Sequence, residues 1–393
     1  MNPYVLPVIL LLATVASADD VIEKRYFTGQ VRMRREMRVN DADRSVPHGT
    51  ETHFYPDGKK KSQTEYRHGR KHGPSQSWYA DGQKKTEGRY RKGLKEGAET
   101  SWLASGKKYR EANYRDGLRH GTQIQWRAGD DTDDKVKEIQ YDKGRLHGTT
   151  RKWYSKDRPQ IVQEHRHGDR HGKTELWFAN GKKYIEATYD NDRRDGTYTE
   201  WYPSGNMKLE TEYQDGSLDG DAKEWHANKQ AKIVASYSDG LAVGDFRQWY
   251  ESGKKFKEGQ YRKGQQDGAW REWYDSEGEA PQQLASELRY DKGRITGSQL
   301  SWHLNGKKRM EVQYENGLPE GRWTEWYETG VKKAEGNYLE GVYEGRLNHW
   351  YPNGKGWAVQ TYHKGEKHGV WVEWDDQGKQ ISRQIYQHGI PLQ

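Results

Sequence analysis

A pattern of 24 residues, roughly G-x4-W-Y-x2-G-K-K-x2-E-x2-Y-x2-G-x3, recurs fourteen times between residues 49 and 389. Self-similarity at so short and fixed a period restricts the chain to folds in which each copy is one supersecondary unit stacked on the next. It leaves almost no room for a separate catalytic domain. The repeats open at glycines from Gly49 to Gly369, and every step is 24 residues except one of 27 after Gly121 and one of 29 after Gly268. Position n of a repeat is the residue n places after its opening glycine.

Position 5 is tryptophan in thirteen repeats and Phe54 in the first, and a tyrosine closes every repeat but the fifth, where His165 stands. Two further glycines punctuate each copy, one after the tryptophan, as in Pro56-Asp57-Gly58, and one after the tyrosine, as in Lys92-Gly93. Asn-Gly and Asp-Gly between β-type segments signal hairpins, because the turn needs positive φ. Trp, Tyr, Thr and Val fill the intervening segments and no useful stretch carries the 3.6-residue apolar period of a helix. The pattern predicts an all-β protein: an elongated single antiparallel meander sheet of about fourteen β-hairpin repeats. That makes about 28 strands, and at ~4.8 Å per strand a body ~130 Å long.

Only 31% of the residues are hydrophobic and 32% are charged, too little apolar matter for a globular core. The tryptophan and tyrosine rows are therefore expected to supply the core as an aromatic ladder, each ring burying ~150–250 Å² and stacking edge-to-face on its equivalent in the next repeat. Further aromatics at position 2, Phe246, Trp270, Trp323 and Trp371, predict a thicker core in the second half. Register stays open at this level. A two-residue turn puts Trp and Tyr on opposite faces, and a bulged turn puts them together.

Residues 1–18 read differently. Val5 to Val15 is an apolar run and Ala16-Ser17-Ala18 precedes Asp19, the pattern of a secretory signal peptide cleaved after Ala18. The run is short for a bilayer span, so the mature chain is expected to be secreted or periplasmic in the cell envelope, without a transmembrane segment. The sequence has no cysteine, which removes disulfides and thiol chemistry. Residues 19–48 are expected to be a capping segment, because Val31, Met33, Met37 and Val39 alternate with charged residues as in a strand that covers a sheet edge. The array then runs over 49–393, with Pro391 discouraging further pairing at its end.

Lysine pairs recur beside the first turn: Lys59 and Lys60, Lys84 and Lys85, Lys107 and Lys108, Lys182 and Lys183, Lys254 and Lys255, Lys307 and Lys308, Lys332 and Lys333. Stacked repeats would line them up ~10 Å apart, near a Debye length, as a basic edge able to bind a polyanion such as an acidic glycan, an anionic lipid surface or nucleic acid. The competing reading is that they are solubilising hairpin tips, compensated by Glu87, Glu111, Glu186, Glu210, Glu258, Glu311 and Glu335 a few residues on. Six histidines, His48, His72, His120, His147, His171 and His368, directly precede an opening glycine, and their recurrence reads as a turn role. The two long repeats carry insertions, Asp130-Asp131-Thr132-Asp133-Asp134 and a stretch near Asp275 to Ala285, places suited to specific contacts. No nucleophile elbow, P-loop, zinc-protease or kinase motif is present, and equivalent residues of stacked repeats form lines and not clusters, so no catalytic residue, metal or cofactor is expected.

The stretch from Lys257 through Gly259, Tyr261 and Gly264 to Gly268 resembles the core of a MORN repeat, and Tyr141-Asp142-Lys143-Gly144-Arg145-Leu146-His147-Gly148 resembles its second half. The 24-residue spacing with Trp-Tyr is similar to the bacterial MORN-repeat variant often labelled a YwqK-like antitoxin component. The resemblance covers residues 49 to 389 and implies an elongated antiparallel sheet used for interaction. An antitoxin acts inside the cell, which conflicts with the export signal. The expectation is a non-catalytic exported scaffold binding a protein, an anionic polymer or a membrane surface, with no sequence-specific nucleic-acid partner. An intracellular antitoxin-like inhibitor is the alternative, and a glycan-active enzyme ranks below both because no unique carboxylate pair stands out.

Overall fold

The structure is a computed structural model that describes residues 20–129, 134–275, 278 and 281–392. The leader and Asp130 to Asp133 of the acidic insertion lie outside the described residues, as do 276, 277, 279 and 280 of the second insertion. Two compact bodies are present, residues 1–181 and 182–393. In each, every described element is a strand and the strand pairs are antiparallel between neighbours along the chain, so the chain is an all-β meander of hairpin repeats. The described strands number 34 and not 28. The excess is a hairpin before the first repeat, one short strand at the end, and three strands interrupted at the opening glycine.

The first elements define the register. They are β1 (Asp20–Arg25), β2 (Val31–Val39), β3 (Ser45–Phe54), β4 (Lys60–Arg67), β5 (Arg70–Trp78) and β6 (Lys84–Arg91). Across β5 and β6, Gly73 faces Tyr90, Ser75 faces Gly88 and Ser77 faces Thr86, but Trp78 faces Lys84, so Lys85 is left over as a bulge. The connection itself is a three-residue loop, in which the Tyr79 N–H bonds to Gln83 O and the Gly82 N–H, at φ +93°, returns to Tyr79 O. The bulge at position 12 offsets the odd loop and restores the register of a two-residue turn. Trp and Tyr consequently fall on opposite faces although the turn is bulged.

At the other end of each repeat the connection is a two-residue turn with both φ values positive, such as Lys92 at +51° and Gly93 at +89°. This is the turn whose twist matches antiparallel strands. The histidines before the opening glycines are not turn residues. Five of the six sit in a strand and His368 falls between two, and the Nδ1 of His48, His72 and His147 accepts the N–H of His68, Lys92 and His167 in the neighbouring turn, each at 3.5 Å. Asp195, Asp219, Glu320 and Glu344 do the same for Asp215, Asp239, Glu340 and Lys364.

The fully buried positions are not the conserved-looking rings of the pattern. All thirteen position-5 tryptophans and the closing tyrosines are half-buried. Among the described residues the buried hydrophobic centre is instead position 2 and its cross-strand partner, as in Ala222 opposite Ala235 and Tyr198 opposite Thr211. In the C-terminal body rings enter this centre at Phe246, Trp270, Trp323 and Trp371, as the second-half aromatics predict. Trp270 is 2% exposed and meets Phe246 at 5.6 Å, Tyr261 at 5.0 Å and Tyr290 at 6.4 Å. Trp323 packs with Val312, Ala334 and Leu347.

Residues 20–39 are a degenerate fifteenth repeat. The Tyr26 hydroxyl donates to Phe54 O at 2.8 Å and Glu36 Oε2 accepts the Thr50 N–H at 2.8 Å, contacts that recur in the array. Glu164 Oε2 accepts the Lys173 N–H in the same way. Position 6 is the one aromatic this hairpin keeps.

Candidate functional site

One face of each body carries the position-5 tryptophans, and the lysines of position 11 are built into it. Lys60, Lys84, Lys108, Lys183, Lys255, Lys308 and Lys332 each lie over the tryptophan of the following repeat, Trp78, Trp102, Trp126, Trp201, Trp273, Trp326 and Trp350, at 5.2–5.9 Å from the ring. Six of these also pair with the glutamate three residues on, as in Lys84 with Glu87 at 3.0 Å and Lys332 with Glu335 at 2.7 Å. Lys60 instead donates to Gln63 Oε1. The lysine side chain thus replaces the ring-on-ring stacking expected of the tryptophans; among the described residues no position-5 ring contact with its equivalent is present. A cation over a ring at a surface contributes ~0.5–1 kcal/mol, comparable with one exposed ion pair.

The lysine pairs do not form one row. Lys59, Lys107, Lys182, Lys254 and Lys307 occupy position 10 at the loop. Lys59 and Lys307 donate to the backbone carbonyls of Ala80 and Thr329 in the next loop, at 3.3 and 2.7 Å, and Lys182 and Lys254 to those of Ser204 and Gly278. Lys85 and Lys333 are the position-12 bulge residues and lie over Tyr79 and Tyr327 on the opposite face, at 5.2 and 6.0 Å. Adjacent lysines of one pair therefore serve different surfaces, and the row of position 11 is balanced by a row of glutamates. The Lys84 ammonium, and then the Gln76 amide, hold Glu87 below the usual carboxylate range. Lys332 does so for Glu335 against the opposing effect of burial, with Arg322 adding to it.

A hydrogen-bond ladder that the sequence pattern does not announce ties a repeat to the next wherever position 6 is tyrosine or histidine; Leu103 and Phe178 hold that place in two repeats. The position-6 hydroxyl donates to the backbone carbonyl of the next repeat's tryptophan: Tyr55 to Trp78, Tyr79 to Trp102, Tyr202 to Trp225, Tyr250 to Trp273, Tyr327 to Trp350 and Tyr351 to Trp374, at 2.8–3.0 Å. Where tyrosine is replaced, His226 and His303 reach Trp249 O and Trp326 O at 3.0 and 2.9 Å. Histidine in this slot keeps a ring nitrogen within reach of the same carbonyl. Tyr327→Phe is expected to lower the local opening free energy around residues 326–350 by ~1 kcal/mol, read by amide hydrogen exchange, while the histidine-bearing step at His303 stays unchanged. A loss below ~0.3 kcal/mol would show that the ladder does not couple the repeats.

On this face, between the strands at Leu241–Trp249, Lys255–Arg262 and Gln265–Trp273, lies a shallow depression of about 380 Å³ lined by Asp245, Arg247, Glu258, Gln260, Ala269 and Arg271. Its charges are mutually paired, Arg247 with Asp245 at 2.8 Å and Arg271 with Glu287 at 2.8 Å. Among the described residues no three His, Asp or Glu side chains gather as a metal site. His165 stands opposite Gly148, in the register place of the missing tyrosine.

Seven segments of the chain match the MORN repeat variant family: residues 47–68, 71–92, 170–191, 194–215, 242–263, 295–316 and 319–340. Each starts two residues before an opening glycine and ends within the two-residue turn, so the matches follow the structural repeat and support a MORN-repeat family for the array. No curated protein matches the chain. Among solved structures the chain is similar to a chain in the crystal structure of TcdB2-TccC3, at 12% identity over 94% of this chain and 22% of that one, with a TM-score of 0.16. It is also similar to a chain in a structure of the Photorhabdus luminescens Tc holotoxin pore, at 13% identity over 94% of this chain and 21% of that one, again with a TM-score of 0.16. The chain spans about a fifth of the length of those chains.

Proposed function

We propose that the chain is a non-catalytic repeat scaffold, exported under its N-terminal leader, that binds an extended partner along its tryptophan-bearing face. The observation that carries the reading is a row of half-buried tryptophans, one in each repeat after the first, of which six, Trp102, Trp126, Trp201, Trp273, Trp326 and Trp350, are capped by a lysine paired to a glutamate. A face that presents a tryptophan at every step after the first suits a partner that is itself extended, whether a protein segment, an anionic polymer or a membrane surface.

The test uses the mature chain immobilised against a cell-envelope extract. Trp102→Ala with Trp126→Ala should weaken capture of the recovered partner at least tenfold while the unfolding profile keeps its shape. Unchanged capture, or turnover of the partner by the chain, would overturn the reading. The alternative reading is an antitoxin-like intracellular inhibitor of a partner protein. Mass spectrometry of the mature N-terminus separates the two: Asp19 as first residue supports export, and an intact leader supports the inhibitor.

A further inference from the structure

The edge opposite the lysine-bearing loops is made by the two-residue turns, and in the N-terminal body it is strongly basic. Its five turn segments are 67–71, 91–95, 115–119, 142–146 and 166–170, and they hold twelve Lys and Arg against three Asp. The nine corresponding segments of the C-terminal body, from 190–194 to 387–391, hold eight of each sign. The N-terminal body thus concentrates on one edge a charge that the repeat pattern itself does not require.

These turns are stacked in order. The N–H groups of Gly69, Gly93, Gly117, Gly144 and Gly168 donate to the carbonyls of Pro47, Lys71, Lys95, Arg119 and Leu146, at 2.7–2.9 Å, so each turn is pinned against the strand before it. Two strands separate successive turns, which gives a pitch of ~10 Å and a run of ~40 Å over the five. A Debye length of ~8 Å at physiological salt lets the charges of one turn act together and those of adjacent turns reinforce one another.

The cations form two layers. The inner ones rest on the closing tyrosines, Lys71 over Tyr90 at 5.0 Å, Lys95 over Tyr114 at 4.8 Å and Arg119 over Tyr141 at 5.3 Å. Burial works against the charge of Lys95, but its pairing with Glu99 outweighs this and keeps the ammonium firmly protonated. The outer ones, Arg67, Arg70, Lys92, Arg115, Lys143, Arg145 and Arg166, are exposed at the turns. Arg91 is the exception, paired with Glu96 at 3.3 Å and Asp116 at 3.1 Å. The loop before the first of these turns carries Asp41 and Asp43, so the basic run has a defined start.

We infer that this turn edge of residues 67–170 is a docking surface for a linear acidic polysaccharide, a chain with one carboxylate or sulfate per sugar or per disaccharide. A string of separated point charges at ~10 Å pitch matches a polymer whose charges are fixed at a sugar-length interval. Single-stranded nucleic acid needs aromatic platforms for its bases, and the exposed apolar residues here are Leu94 and Leu118, not rings. The surface lies away from the position-5 tryptophans. The inference adopts the scaffold reading only in taking the chain as a binder, and it stands or falls separately from the tryptophan face.

The experiment uses the full mature chain and measures binding to polygalacturonate and to heparin, with poly-dT and vesicles of anionic phospholipid as the other arms. Binding to the polysaccharides should fall steeply with salt. The combined variant Arg67→Glu, Lys92→Glu, Arg115→Glu, Lys143→Glu and Arg166→Glu should weaken it at least thirtyfold. An equal reversal on the other edge and body, Lys59→Glu, Lys107→Glu, Lys263→Glu, Lys292→Glu and Lys364→Glu, should weaken it less than threefold. Equal losses in the two variants would reduce the effect to net charge and overturn the inference. So would no polysaccharide binding, or tighter edge-dependent binding to poly-dT or to the vesicles. The Trp102→Ala and Trp126→Ala pair should leave polysaccharide affinity unchanged, which distinguishes failure of this surface from failure of the tryptophan face.

Discussion

Gly259→Ala should destabilise the C-terminal body locally by ~1–3 kcal/mol, the usual cost of overfilling a packed site. Gly259 pairs with Phe246 across the strands, and a Cβ on it would stand 2.2 Å from Cδ2 of Trp270, the largest fully buried side chain described. The ring is held by Phe246, Tyr261 and Tyr290, so it has no free direction in which to retreat. Hydrogen exchange over residues 244–273 should report the loss as faster opening, with protection in the N-terminal body unaltered. Removing the ring instead, by Trp270→Ala, should cost more, ~3–5 kcal/mol. The two changes occupy one volume and should be far from additive, with Gly259→Ala adding little on the Trp270→Ala background. If Gly259→Ala costs less than ~0.5 kcal/mol, Trp270 is not the packed centre described above.

The second large effect is expected at an opening glycine. Gly148 has φ +86°, and a Cβ there would lie 2.0 Å from Oε1 of Gln140, which accepts the Thr149 N–H at 2.9 Å. Gly148→Ala therefore combines a left-handed backbone penalty of ~1–2 kcal/mol with the loss of a cross-strand hydrogen bond worth ~1 kcal/mol. Gly244→Ala is the control. Its φ is +67° with nothing within 4 Å of the added Cβ, so only the backbone penalty applies. Exchange rates around residues 140–150 and 236–246 should differ by the value of the hydrogen bond. Equal costs at the two sites would mean that the amide at position 16 does not select for glycine at position 0.

The hairpin meander was legible in the sequence because glycine, tryptophan and tyrosine recur at places where a turn or a ring is needed. Contacts between a side chain and the main chain were not, since a carbonyl leaves no trace in the residue letters. The position-6 ladder from Tyr79 or Tyr327 is invisible for that reason, although His226 and His303 in its slot hint at it. The tryptophans were expected to be core on the strength of their size. They are half-buried, seven of them under a long lysine stem, and the buried centre belongs to position 2, where Ala222, Tyr198 and Trp270 share no chemical type. The lysine pairs looked like one row because adjacency was read in place of repeat position. Counted by position, Lys84 and Lys85 point to opposite faces, one over Trp102 and one over Tyr79. The hairpin at residues 20–39 escaped notice because its opening residue is Asp20 and its position 5 is Arg25, which leaves Tyr26 as the last trace of the pattern.

The tyrosine ladder has a consequence for how such a chain can change size. Each hydroxyl reaches a carbonyl 23 residues onward in an uninterrupted repeat, so the bond is defined by one period and is indifferent to which copy supplies it. Excising residues 97–120 as a block would bring Tyr79 to the carbonyl of Trp126 and Lys84 to its ring, so that both of these contacts between repeats would re-form. Removing half that length would break the ladder, the cation–ring row and the turn stack together. Length in this molecule is therefore quantised, and growth or loss by whole repeats changes the number of steps while keeping the hairpin frame of each.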